Sequence, residues 1–156
     1  MTNVIFLEIE KFFVIEDAVF LTRPKAEPYY VTEGQQGPVM ECSFAPEFRN
    51  RTRYEPSWTL VASDLPRHLT RNGVSFSKQQ YALLEAGGAY NLQIRRVVFH
   101  RDNGKFFCTV LDKESGTQYT VQANIVVVVP FGEEEVTFMF EEVLDVILLC
   151  DVLKAF

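Results

Sequence analysis

Two cysteines on stretches that alternate apolar and polar residues, with the chain's single tryptophan between them, constrain this chain more than any other feature. The first lies in Val39-Met40-Glu41-Cys42-Ser43-Phe44. In an extended chain Met40, Cys42 and Phe44 point to one side, Glu41 and Ser43 to the other. The second closes the stretch from Tyr90 to Cys108. That stretch opens with Leu92 and Ile94 on one face and Asn91, Gln93 and Arg95 on the other, the period of a half-buried strand. A turn carrying Asp102 and Gly104 follows. A second alternating run then puts Phe106, Cys108 and Val110 opposite Lys105, Phe107 and Thr109. Trp58 sits between the cysteines in another short run, Ser57-Trp58-Thr59-Leu60-Val61. Three strands each deliver one member of the set Cys42, Trp58 and Cys108 to a common core.

The 156 residues suffice for one domain with a substantial core plus flanking segments. An apolar content of 47% with 13% aromatics argues against disorder. Net charge is −6 and no basic run exceeds Arg95-Arg96, which argues against nucleic acid as a partner. The three cysteines show no CxxC or Cys/His metal spacing, so no metal or cofactor is expected. Cys42 and Cys108 pair best as one disulfide, which places the domain outside the cytosol. Cys150 is left over. The N-terminal run is apolar but is interrupted by Glu8, Glu10 and Lys11, and no positive segment precedes it, so it reads poorly as a signal peptide. No stretch of about 20 uncharged apolar residues could span a bilayer. The expectation is a piece of a longer exported protein, tied to a membrane only through other parts of that chain.

Residues 1–17 form an N-terminal extension, residues 18–130 the domain, and residues 131–156 a tail. Val19 to Leu21 begin a first strand stopped at Arg23-Pro24 and resumed at Pro28 to Gly34, a split typical of a sandwich edge. The loop Ala45 to Pro56 holds the sequon Asn50-Arg51-Thr52. Ser63 to Gly73 is polar and turn-rich, with Asn72-Gly73 a hairpin signal. Val74 to Leu84 supplies another strand. Tyr119 to Val129 gives a last strand with Ala123, Ile125, Val127 and Val129 on one face. The whole predicts an all-β antiparallel sandwich without a convincing internal helix. In the tail, Phe140, Val143, Leu144, Ile147 and Leu148 fall at helical spacing behind Glu133-Glu134-Glu135. That amphipathic helix either docks on the sandwich, serves oligomerisation or a membrane surface, or is foreign to the domain.

The combined pattern resembles the immunoglobulin superfamily over about residues 18 to 130. The family's Asp-x-Gly-x-Tyr-x-Cys stands here as Asp102-Asn103-Gly104-Lys105-Phe106-Phe107-Cys108. Phe106 replaces the tyrosine, so the corner hydrogen bond is lost while the ring can still fill its site. The apolar residue four positions before the aspartate is Val98, one residue farther from Ile94 than usual, which implies a bulge or shifted turn. Gly88 to Ile94, with the valine-rich last strand, is similar to a membrane-distal domain of the nephrin and irregular-chiasm adhesion receptors. The resemblance implies an immunoglobulin-like sandwich with Trp58, Leu92, Ile94, Asp102, Gly104 and Phe106 as its framework. It further implies recognition between cells through the sheet that carries Trp58 and Cys108.

Parity points Thr59, Val61, Phe107 and Thr109 outward from that sheet, with Phe107 as the candidate anchor. No catalytic residue is expected. The histidines, His68 and His100, fall in or near turns, and a Cys108–His100 couple would need a free thiolate. Asp102 with Arg101 or Arg71 reads as a structural ion pair. No small-molecule substrate is expected. The partner is another immunoglobulin-superfamily surface protein or a second copy of the chain, at the cell surface, with Asn50 glycosylated. The alternative is a structural immunoglobulin domain of an intracellular filament or scaffold protein, with its cysteines reduced.

Overall fold

A computed structural model describes residues 18–130; the N-terminal extension and the helix expected in the tail lie outside the described residues. Eleven strands are present among them: β1 (Phe20–Thr22), β2 (Tyr29–Thr32), β3 (Val39–Met40), β4 (Ser43–Phe44), β5 (Tyr54–Ala62), β6 (Leu65–Arg71), β7 (Val74–Ser75), β8 (Tyr81–Leu84), β9 (Asn91–Ile94), β10 (Gly104–Asp112) and β11 (Gln118–Val128). A 3₁₀ turn at Pro46–Phe48 and a single helical turn, α1 (Phe99–Asp102), interrupt them. The larger sheet runs β2-β11-β10-β5-β6-β7, and it faces the three-stranded sheet β3-β9-β8 and the ribbon β1-β4.

Alternation along the strands builds the core between these layers. Leu92 and Ile94 of β9 are fully buried, as are Phe106, Cys108 and Val110 of β10 and Trp58 of β5. Cys42 and Cys108 are joined across the two layers, with their Cα atoms 6.6 Å apart. Trp58 packs into the same core, and its indole N–H donates to the Tyr90 carbonyl at 2.6 Å, which satisfies its one polar atom. The chain between β3 and β4 leaves the regular ladder at Cys42. There the Asn91 side chain accepts from the Cys42 N–H at 2.9 Å, and the Cys42 carbonyl accepts from the Tyr90 N–H.

The split first strand forms as read. β1 pairs antiparallel with β4, the chain turns through the buried Pro24, and β2 then runs parallel beside β11. On β11, Val121, Ala123, Ile125 and Val127 face the core, whereas Val129 lies past the strand end and is exposed.

Residues 63–73 are a finding the sequence concealed. Far from being only turns, they carry β6. Ser63 and Asp64 both adopt positive φ (51° and 62°) and close a two-residue hairpin from β5 without a glycine. A bulge then shifts the register between Trp58 and Thr59, so that Trp58 faces Thr70 while Thr59 faces His68. Leu69 and Thr70 are consequently buried in succession. The period-2 pattern is broken where the bulge inserts its extra residue. At Asn72-Gly73 the hairpin signal holds, with φ of 48° and 84° leading into β7. Val74 to Leu84 is two strands rather than one, with a turn between β7 and β8.

The aspartate corner is a closed polar cluster. Asp102 is fully buried and accepts from the Tyr81 hydroxyl (2.6 Å), the Val98 N–H (2.8 Å) and the Arg101 guanidinium (2.7 and 2.9 Å). Arg101 is thus its partner; Arg71 pairs with Glu55 instead. Burial and then the bond to Asp102 push the Tyr81 phenol well above its usual range. Val97 fills the core here, while Val98 offers its backbone to Asp102. Two residues after Asp102, a side chain at Gly104 would collide with the Val61 carbonyl, so glycine alone lets β10 close on β5. Phe106 occupies the tyrosine site, its ring edge-on to Tyr81 at 6.4 Å.

Candidate recognition face

The register of the larger sheet converts the outward parity into a map. Phe107 stands opposite Thr59 of β5 and Gln122 of β11, and Thr59 stands opposite His68 of β6. This row, Gln122-Phe107-Thr59-His68, crosses the middle of the sheet. On one side lies the row Asn124-Lys105-Val61-Pro66, and on the other Thr120-Thr109-Ser57-Arg71. The four outward residues expected from sequence, Thr59, Val61, Phe107 and Thr109, are therefore immediate neighbours. All four are half-buried, as side chains flanked by cross-strand partners on an otherwise open face are.

Phe107 and Val61 lie outside the core cluster and outside the half-buried hydrophobics packed on it, so the ring turns away from the core as parity requires. Polar groups surround it. Thr59 Oγ1 and His68 Nδ1 are 3.2 Å apart, and the Thr109 and Thr120 hydroxyls 2.9 Å apart. Arg71 closes an ion pair with Glu55 at 2.6 Å near the end of the face. A shallow depression of about 120 Å³ among Ser57, Thr59, His68, Arg71, Thr109 and Leu111 lies beside the ring. At the β2 edge Tyr30, 71% exposed, stands opposite Val126, and exposed Val128 adjoins them to form an apolar corner.

A single aromatic ring set among hydroxyls, amides and one imidazole suits contact with a protein surface: a desolvated anchor within a polar surround. Cys108 is consumed in the disulfide, His100 is an exposed ring lying edge-on to Phe99, and His68 faces a threonine. His68, Arg71, Glu55 and Tyr30 were not read as parts of this face. For His68 the sequence signal was its alternation with Pro66, which the bulge at Leu69 hides, and Glu55 shares the outward parity of Ser57 and Thr59 on β5. Asn50 is exposed in the turn before β5.

No family model matches the chain, and no curated protein matches it. Among solved structures it is similar to the crystal structure of Rst D1-D2, with a TM-score of 0.55 and 20% identity, covering 71% of this chain and 49% of that one. It is also similar to a chain in the crystal structure of the titin M10–obscurin-like 1 Ig complex, with a TM-score of 0.51 and 18% identity, covering 72% of this chain and 95% of that one. The chain thus spans about half the length of the Rst D1-D2 chain. At such identities the likeness is one of fold. Together with the Cys42–Cys108 bridge over Trp58 and the two facing sheets, it makes the described residues an immunoglobulin-like β-sandwich.

Proposed function

We propose that this domain is an exported recognition module that binds another immunoglobulin-like surface protein, or a second copy of itself, through the outward face of β11, β10, β5 and β6. The observation that carries this reading is Phe107, an aromatic ring directed away from the core at the centre of a polar, hydrogen-bonded surface. The disulfide supports an oxidising compartment, and among the described residues no helix is long and apolar enough to cross a membrane. Membership among nephrin-type adhesion domains is the finer form of the proposal; it rests on Gly88 to Ile94 and the last strand. The intracellular scaffold alternative draws on the titin M10–obscurin-like 1 complex, itself named as a complex of this fold. It requires Cys42 and Cys108 to remain thiols.

The test is Phe107→Ala in the full chain, displayed as an avid multimer against an array of immunoglobulin-superfamily ectodomains that includes the chain itself. Phe107 is already half-buried, so completing its burial contributes only part of the roughly 1.5–3 kcal/mol that full burial is worth, and truncation is expected to weaken binding by about three- to tenfold. Thermal stability should fall by less than about 1 kcal/mol, the scale of one cross-strand pair. A wild-type multimer that captures nothing on the array would overturn the recognition reading. Unchanged capture with a large stability loss would show that Phe107 is covered, and the face would be wrong.

A further inference from the structure

We propose that Asn50 carries an N-linked glycan, rooted at the end of the sandwich where β5 begins, so that the sugar caps that end and leaves the Phe107 row open. The inference rests on the reading that the domain is exported. The sequon Asn50-Arg51-Thr52 occupies a turn whose backbone is held on both sides. The Asn50 carbonyl accepts from the N–H groups of Arg53 and Tyr54 at 3.1 and 2.7 Å. The Arg51 carbonyl accepts from Lys113 Nζ at 2.9 Å, while its guanidinium pairs with Glu85 at 2.8 Å and lies over the Tyr90 ring. Arg53 is bound to Asp112 through two nitrogens.

Within this fixed turn the Asn50 side chain is exposed and uses only its oxygen. Oδ1 accepts from the Thr52 N–H at 3.1 Å and from the Thr52 hydroxyl at 2.7 Å. The amide nitrogen makes no hydrogen bond to the described residues, so a substituent on it displaces none of the contacts that hold the turn. Position then sets the consequence. Thr59, opposite Phe107, lies five residues beyond Tyr54 along β5, or about 17 Å at the rise of an extended strand. A glycan rooted before Tyr54 starts at the end of β5, beside the β10–β11 turn whose Lys113 bonds the Arg51 carbonyl, and not beside the ring. It confines recognition to the middle and far rows of the sheet.

The chemistry is ordinary for the exporting compartment. Asn50 Nδ2 bonds to the anomeric carbon of an oligosaccharide carried on a lipid pyrophosphate. The carbon–oxygen bond to the pyrophosphate breaks, the lipid pyrophosphate leaves, and the amide gives up one proton.

The full chain, fused to a cleavable leader, is translated with endoplasmic-reticulum microsomes, and the protease-protected fraction is read on a denaturing gel. Folding is not needed for this readout. A slower band that peptide N-glycosidase collapses, with Asn50 recovered as aspartate by peptide mass, is the expected result. Thr52→Ser should keep the band, and Thr52→Ala and Asn50→Gln should abolish it. A protected wild-type chain that carries no sugar would overturn the proposal. That result would leave the Phe107 face standing, since binding by an unglycosylated domain is measured separately.

Discussion

Asp102→Ala is expected to destabilise the domain by about 3–5 kcal/mol, the cost of removing one member of a buried ion pair. The change strips four hydrogen bonds at once. It leaves the Tyr81 hydroxyl and the Val98 N–H without their acceptor, and it strands the Arg101 guanidinium, four-fifths buried, without a counter-charge. Relief by movement is limited. Arg101 is flanked by Arg67, whose own guanidinium donates to the Tyr81 hydroxyl at 2.9 Å and to the Arg101 carbonyl at 3.3 Å, so a second positive charge lies beside the first. Urea denaturation with an unchanged slope and a lowered midpoint is the expected signature. A loss below about 1 kcal/mol would mean that the corner is wet and that Asp102 holds neither α1 nor the start of β10.

The Cys42→Ala/Cys108→Ala variant is expected to lose roughly 4 kcal/mol, since the bridge closes a sequence separation of 66 residues in the unfolded chain. The loss corresponds to a fall in thermal midpoint on the order of 15 °C for a domain of this size. Both partners are changed so that no free thiol can misoxidise. Trp58 should stay buried in whatever remains folded, because its packing and its indole bond to Tyr90 do not depend on the sulfur atoms. Retained blue-shifted tryptophan emission below the lowered midpoint checks this. A midpoint within a few degrees of wild type would show that cross-sheet packing alone carries the core.

These two centres, the disulfide over Trp58 and the buried aspartate corner, were both legible in the residues. Trp58 and Cys108 lie on β5 and β10, strands long enough for strict alternation, and Asp102 stands in the helical turn just ahead of β10, a charged residue that burial makes costly unless it is partnered. Identification of the partner was less secure: Arg71 and Arg101 were equal candidates for Asp102 until the register placed Arg71 against Glu55. β6 was illegible for two physical reasons. Its hairpin uses Ser63 and Asp64 at positive φ, where sequence reading looks for glycine or asparagine, and its bulge breaks the apolar period at Leu69. The candidate face inherited that gap. Phe107, Thr59, Val61 and Thr109 followed from parity alone, but His68 and Arg71 could be seated beside them only once the β5–β6 register was known. The Val129 placement failed more simply, because β11 ends at Val128.

An exported recognition domain and an intracellular scaffold domain share this fold; they differ in the state of two sulfur atoms. The measurement that separates them is peptide mapping of the natural protein, isolated with free thiols alkylated before lysis and digested without reduction. The account predicts a Cys42–Cys108 cross-linked peptide and no alkyl label on either residue. Label on both cysteines, with the cross-linked peptide absent, would contradict it and leave the scaffold reading in its place.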